Sequence, residues 1–124
     1  MRVSLLILLL SAVASLHGSS FYLSPQGNDL NGDGSINAPW FTLEKAWKAA
    51  VAGDTIWLRG GTFEYITMQD LTGKDGINGK RIKIWAFPGE RPVITKGSTF
   101  DMVDQSNLIF IEADYVHLKG LEIS

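Results

Sequence analysis

The sequence predicts an all-β fold, and the spacing of its strand-like segments decides that class. Ile56 and Ile84 lie 28 residues apart in two such segments, and Leu118 follows 34 residues later in a third. Polar, glycine-rich loops separate these segments. The sequence has one helical pattern, and it lies before the first strong strand rather than between strands, which argues against alternating βαβ units. No Asn-Gly or Asp-Gly pair joins two alternating segments, so tight hairpins are disfavoured. This spacing favours a β-solenoid, and a β-sandwich fragment remains open.

The composition excludes several classes of protein. The chain has 124 residues, no cysteine and a formal net charge of −2 at pH 7, which suits one domain or part of one. Because there is no basic field, nucleic acid is not expected as a partner. The apolar fraction of 45% is too high for a disordered tail. Since small secreted domains usually depend on disulfides, stability is expected from a larger core, a metal or further sequence.

Residues 1–18 are predicted to be a secretory signal peptide. Arg2 supplies the positive start, Leu5–Leu10 is an unbroken apolar segment, and a small-residue A-x-A site ends at Ala14. We expect cleavage after Ala14 or Gly18. The apolar segment is too short for a membrane span, which needs about 20 residues. The mature chain is therefore expected to be secreted, whether extracellular, on the cell surface or periplasmic, with no membrane span.

Residues 19–53 are predicted to hold an N-terminal strand, a polar loop and one amphipathic helix. Thr42 is placed to cap the helix, and Gly53 is placed to end it in the left-handed conformation. One apolar face is formed at helical spacing by Leu43, Ala46, Trp47 and Ala50. Trp47 is therefore expected in the core.

Residues 54–124 are predicted to be β structure. The alternating or β-branched segments that indicate strands are Asp54–Arg59, Thr62–Thr67, Arg81–Trp85, Pro92–Ile94, Leu108–Ile111, Tyr115–Leu118 and Gly120–Ile123. A polar loop carrying several glycines separates the second of these segments from the third.

The stretch FYLSPQGNDLNGDGSINAPWFTLEKAWKAAVAGDTIWLRGGTF, residues 21–63, carries a family resemblance. It resembles the opening of right-handed parallel β-helix proteins of the pectate-lyase-like superfamily. Residues 82–94 and 114–124 resemble the first and second coils of such proteins. The resemblance implies a right-handed parallel β-helix whose amphipathic helix caps the N-terminal end. Because no second cap is present and two coils are too few for stability, we expect a C-terminally truncated fragment, inactive by itself.

The resemblance also implies a function. It indicates a secreted lyase that cleaves an acidic, pectate-like polysaccharide by β-elimination with Ca²⁺, acting as a monomer. The alternative is a non-catalytic β-helix, either an adhesin or a carbohydrate-binding surface protein, because solenoids also serve as extended binding surfaces. In similar proteins the catalytic residues and the main calcium site lie in later coils. We expect them beyond Ser124 and assign no catalytic residue here.

A second, weaker calcium site is predicted at Asp29, Asn31 and Asp33. These residues match D-x-N-x-D-G, the first half of an EF-hand loop, and place three oxygen ligands at alternate positions. The twelfth loop position is Trp40, where an EF-hand has a bidentate Glu. An ordinary polar loop built on Asx turns is therefore the alternative.

Trp57 and Trp85 are the predicted substrate-binding residues. Each alternates with isoleucine or leucine on its strand, so it points outward if the aliphatic side chains point inward. Aromatic faces suit the C–H surfaces of sugars. Packing beneath a neighbouring loop is the alternative for both.

Uronate lyases need positive charge beside the carboxylate and a base for the C5 proton. The basic side chains considered for these roles are Lys74, Lys80, Arg81, Lys83, Arg91, Lys96, His117 and Lys119. Alternation places Lys83 and Lys119 on the outside, and His117 is expected at the surface of its strand.

Overall fold

The structure is a computed structural model that describes residues 18–100 and 107–124. The predicted signal peptide, except for Gly18, lies outside the described residues. The elements are β1 (Ser20–Leu23), α1 (Leu43–Ala49), β2 (Thr55–Leu58), β3 (Gly61–Tyr65), β4 (Gln69–Leu71), β5 (Ile82–Ala86), β6 (Pro92–Lys96), β7 (Ile109–Ile111), β8 (Val116–Lys119) and β9 (Glu122–Ile123).

Three parallel sheets wind into a solenoid, and each is built from strands that are distant in the sequence. Sheet A has the order β1-β2-β5-β8, sheet B has β3-β6-β9 and sheet C has β4-β7. All pairings between these strands are parallel. One coil is therefore β2-β3-β4, the next is β5-β6-β7, and β8-β9 begins a third. Residues 82–94 and 114–124 thus lie in the second and third coils, not in the first and second as predicted. This topology confirms the predicted solenoid and excludes the β-sandwich fragment.

The core lies inside the coils, because alternate residues of each strand point inward. In sheet A, Ile56 pairs with Ile84, and both side chains are fully buried. In sheet B, Phe63 pairs with Ile94, and both are again fully buried. Each coil thus covers the apolar side chains of its neighbour, as a solenoid requires.

Helix α1 covers the N-terminal side of this core, as predicted. The Thr42 hydroxyl caps it by accepting a hydrogen bond from the Lys45 amide at 3.2 Å, and Trp47 is buried. No helix among the described residues has the length and apolar character needed to cross a membrane.

Gly53 adopts the predicted left-handed conformation, with φ 92°, but the predicted continuation of α1 up to it is wrong. The last helical residue is Ala49, and Ala50 is already extended, with φ −74° and ψ 147°. The Val51 amide, which would continue the helix, donates instead to the Asp54 carboxylate at 2.9 Å. The Lys74 ammonium donates to the carbonyls of Trp47 (2.7 Å), Lys48 (3.1 Å) and Ala50 (2.7 Å). Side chains of Asp54 and Lys74 therefore satisfy backbone groups at the end of the helix, and Gly53 shapes the turn that follows.

Strand β4 lies in a region that the sequence did not predict to be a strand. Its first residue, Gln69, is buried, and the side-chain nitrogen Nε2 of Gln69 donates to the Thr67 carbonyl at 3.2 Å. The Gln69 side-chain oxygen accepts a hydrogen bond from the Glu44 amide at 3.0 Å. One buried amide side chain therefore joins sheet C to the first turn of α1.

Candidate functional site

The outward side chains of sheet A form two rows that run across the strands. The register places the rows Tyr22–Trp57–Trp85–Lys119 and Ser20–Thr55–Lys83–His117 side by side. We call these eight residues the sheet A face. Since neighbouring strands are about 4.8 Å apart, each row is a ladder with a similar step. No acidic residue occupies an outward position in either row.

Trp57 and Trp85 are adjacent on this face, as predicted. Their ring centroids are 5.7 Å apart and their planes lie at 75°. Both are half-buried, whereas Ile56 and Ile84 beside them are fully buried, which confirms the predicted alternation. Phe87 contacts Trp57 edge to face at 6.1 Å. Substrate contact by these tryptophans remains a prediction.

The indole N–H groups of this pair bind side chains. Trp85 Nε1 donates to Nδ1 of His117 at 3.0 Å, and Trp57 Nε1 donates to the Ser20 hydroxyl at 3.3 Å. Both acceptors lie on neighbouring strands of the same sheet. Each ring is therefore oriented by a hydrogen bond to a neighbouring strand, and part of each ring remains open to solvent.

Two ammonium groups lie over one indole ring. Lys83 Nζ is 5.6 Å and Lys119 Nζ is 4.9 Å from the Trp85 ring centroid. This distance permits cation–π attraction. Within residues 18–100 and 107–124, neither lysine has a carboxylate within 4.0 Å. The face therefore carries positive charge that no ion pair neutralises.

The carboxylate of Glu90, three residues after Phe87, is neutralised. Arg59 Nε and Nη2 each donate to Glu90 at 2.8 Å, and the guanidinium lies 4.4 Å from the Phe87 ring centroid. The hydrogen bond from Arg59, with a second from the Gly60 amide, lowers the pKa of Glu90 from 4.5 to about 2. Glu90 is therefore ionised and paired at neutral pH.

The Asp29–Asp33 loop binds the start of α1. The Asp29 carboxylate accepts hydrogen bonds from the amides of Phe41 (2.8 Å) and Thr42 (3.1 Å) and from the Thr42 hydroxyl (2.6 Å). A calcium ion at Asp29 would have to compete with these three donors. The described residues contain no group of three or more His, Asp and Glu placed to hold a metal.

The other two predicted calcium ligands are more exposed than Asp29. The Asp33 carboxylate accepts from the Ser35 amide at 3.0 Å, and hydrogen bonding to Ser35 lowers the pKa of Asp33. The backbone of Asn31 donates to Asn28 Oδ1 at 2.9 Å. Their oxygens have the chemistry that Ca²⁺ prefers, but Asp29 is turned to the helix. The calcium site remains a prediction.

The outward face of sheet C differs from the sheet A face. It carries a shallow groove of about 310 Å³ lined by Met68, Asp70, Thr72, Phe110 and Glu112. A second groove of about 350 Å³ adjoins it at Glu112 and includes Asp75 and Asp114. The sequence did not indicate these grooves, because β4 was not recognised as a strand.

Comparison with known proteins identifies the family. A family model described as the Pel9A-like, right-handed β-helix region matches residues 21–124. The chain belongs to the Pel9A-like β-helix family. This confirms the resemblance noted in the sequence and gives the solenoid its right-handed sense.

Curated relatives of this Pel9A-like chain include two pectate lyases. Pectate lyase PEL9 of Emericella nidulans is 30% identical over 115 residues, covering 85% of this chain and 28% of that protein. Pectate lyase L of Paenibacillus polymyxa is 32% identical over 117 residues, covering 91% of this chain and 25% of that protein. The chain thus spans about a quarter of the length of each relative.

Solved structures give the same picture. A rhamnogalacturonan lyase superposes with a TM-score of 0.72 at 26% identity, covering 86% of this chain and 28% of its own. Pectate lyase Pel9A superposes with a TM-score of 0.62 at 27% identity, covering 83% of this chain and 27% of its own. The Pel9A-like fold of this chain is therefore one that named polysaccharide lyases share.

Proposed function

We propose that this chain functions in a secreted, monomeric lyase that cleaves an acidic, pectate-like polysaccharide by β-elimination. The observation that carries the proposal is the similarity of more than four fifths of this chain to three proteins named as pectate or rhamnogalacturonan lyases, two in sequence and one in structure. Within the chain, we assign Trp57 and Trp85 as sugar-contacting residues, because both indoles are outward and partly open.

The reaction class fixes what the protein must supply. In β-elimination a base takes the proton from C5 of a uronate, the C4–O bond breaks, and a C4=C5 double bond forms in the product. Positive charge beside the carboxylate makes the C5 proton easier to remove. Lys83 and Lys119 supply such charge on the sheet A face. We assign the base to none of the described residues.

Within the described residues, the proposal places calcium at the Asp29–Asp33 loop. When bound, Ca²⁺ supplies positive charge that can neutralise a carboxylate. Asp29, Asn31 and Asp33 are the residues we propose to hold it, with the Asp29 carboxylate exchanging some of its present donors for the ion. No step of the reaction is assigned to this loop.

The proposal is tested by product formation. The full-length protein, as translated from its reading frame, is incubated with pectate, rhamnogalacturonan, alginate, chondroitin and a neutral galactan. The ultraviolet absorbance of unsaturated uronate is followed with and without a chelator. We expect product from pectate and none from galactan. Binding without product from any polymer would contradict the lyase and support the alternative, a non-catalytic carbohydrate-binding surface protein or adhesin.

Export is part of the proposal and has its own test. The Ser19 amide donates to Oδ1 of buried Asp54 at 2.8 Å. Cleavage after Gly18 would turn this amide into an α-ammonium group and strengthen the bond by charge. We expect the protein in the culture medium or periplasm with Ser15 or Ser19 as its first residue, read by N-terminal sequencing. An intact Met1 in an intracellular protein would contradict export.

A further inference from the structure

We infer that Lys83, Trp85 and Lys119 form a binding subsite for the carboxylate-bearing face of one uronate residue. This subsite rests on the proposed function for its ligand class, an acidic polysaccharide, but it requires no catalysis. Its physical basis is the pair of ammonium groups that share one indole ring, at 5.6 Å and 4.9 Å from its centroid. Two like charges at one ring repel each other, and an anion between them removes that repulsion.

The ring and the charges match different parts of the same sugar. A uronate has an apolar C–H surface and one carboxylate. Trp85 can stack on the C–H surface when the ammonium groups now over its ring move to the carboxylate and bind it by charge-assisted hydrogen bonds. The hydrogen bond of 3.0 Å from Trp85 Nε1 to His117 Nδ1 orients the indole ring. The side chain of Trp85 therefore loses less conformational freedom when the sugar binds.

The register sets the direction of the polymer. Trp85 pairs with Trp57 on one side and with Lys119 on the other, and Trp57 pairs with Tyr22. A chain that follows this row crosses the strands along the solenoid axis and meets one side chain at each step of about 4.8 Å. Trp57, at 75° to Trp85, then contacts the sugar next to the one on Trp85.

The charge distribution favours this face for a polyanion. Arg59 and Arg91 are each paired with a glutamate, so they offer less attraction than Lys83 and Lys119. The sheet C groove, in contrast, carries the carboxylates of Asp70 and Glu112, which repel uronates. Within the described part of the chain, Lys83 and Lys119 therefore place unpaired positive charge directly beside the aromatic row.

The test is equilibrium binding of polygalacturonate to the full-length protein, measured in chelator at physiological ionic strength, with neutral galactan as the comparison ligand. Lys83→Gln/Lys119→Gln removes both charges and keeps side-chain length. Lys45→Gln/Lys48→Gln removes two exposed charges from α1 and is the matched control. We expect about tenfold weaker binding for the first variant and a change within about twofold for the control. Circular dichroism checks that each variant is folded, and Trp85→Phe provides a second, uncharged perturbation.

Each outcome decides the inference. Equal weakening in both double variants, or none in Lys83→Gln/Lys119→Gln, overturns the subsite, as does equally tight binding of galactan. If the wild-type protein binds polygalacturonate through these lysines but releases no unsaturated product, the subsite stands and the lyase proposal fails. If it releases product while both double variants bind alike, the lyase stands and the subsite fails.

Discussion

The four tryptophans of this chain divide into two pairs with opposite surroundings. Trp40 and Trp47, beside and on the cap helix, are buried, and their Nε1 atoms donate to the backbone carbonyls of Gly32 and Thr72, both at 2.9 Å. Trp57 and Trp85, on the sheet A face, are half-buried and donate to side chains. The same residue type therefore fills the core in one region and borders solvent in the other.

The difference shows how to separate a packing tryptophan from a binding one. Trp40 and Trp47 are enclosed by the core, and a backbone carbonyl satisfies the N–H group of each indole. A serine or histidine acceptor holds only the edge of the ring and leaves part of its face accessible. Trp40 and Trp47 should therefore contribute mainly to the stability of the fold, while Trp57 and Trp85 should contribute mainly to polysaccharide binding.

The largest expected effect compares Trp47→Ala with Trp85→Ala. Trp47 is fully buried, so its truncation should lower the free energy of unfolding by about 3–5 kcal/mol. Trp85→Ala should lower it by about 1 kcal/mol while weakening polygalacturonate binding severalfold. Denaturant unfolding and binding titrations give the two readouts. The reverse order of stabilities, or unchanged binding in Trp85→Ala, would break the comparison between the two pairs.

A smaller loss of stability is expected from Lys74→Met. Methionine keeps the apolar stem but leaves the carbonyls of Trp47, Lys48 and Ala50 without the ammonium group that now binds them. We expect the free energy of unfolding to fall by about 1–3 kcal/mol, with binding unaffected. Lys48→Met is the control, because Lys48 makes only an exposed i,i+4 ion pair at 3.6 Å, and should change stability by less than about 0.5 kcal/mol.

The smallest effect sharpens the role of the Asp29 loop at the cap. Asp29→Ala removes three hydrogen bonds at the start of α1 and should cost about 1 kcal/mol in chelator. If Ca²⁺ binds there, added CaCl₂ should raise the Tm of the wild-type protein but not that of Asp33→Ala, whose loss in chelator should be smaller. An equal rise of Tm with CaCl₂ in both proteins would contradict the predicted calcium site.

Features that depend on local periodicity could be predicted from the sequence. Leu43, Ala46 and Trp47 repeat at helical spacing, so the buried face of α1 was predictable. Strict alternation around Trp57 and Trp85 likewise predicted which side chains point outward. In both cases the information lies within a few residues of the element concerned.

Features that depend on contacts between distant residues could not be predicted in this way. The carbonyl of Ala50, at the end of α1, is bound by Lys74, which lies 24 residues later in the chain. Strand β4 contains Asp70, a poor strand former, and pairs with β7, which sets its conformation. Asp29 matches a calcium motif by spacing alone, while its hydrogen-bond donors lie 12 and 13 residues away.

The links between sheets A and B show where this fold tolerates change in length. In the first coil the link is residues 59–60, and in the second it is residues 87–91, yet the strands after them remain paired from Gly61 and Pro92 onward. The longer link closes on itself through a hydrogen bond from the Glu90 amide to the Phe87 carbonyl at 3.0 Å. Peptide insertions for engineering therefore belong at residues 88–89, between Phe87, which contacts Trp57, and Glu90, which binds Arg59 and Gly60 of the first coil.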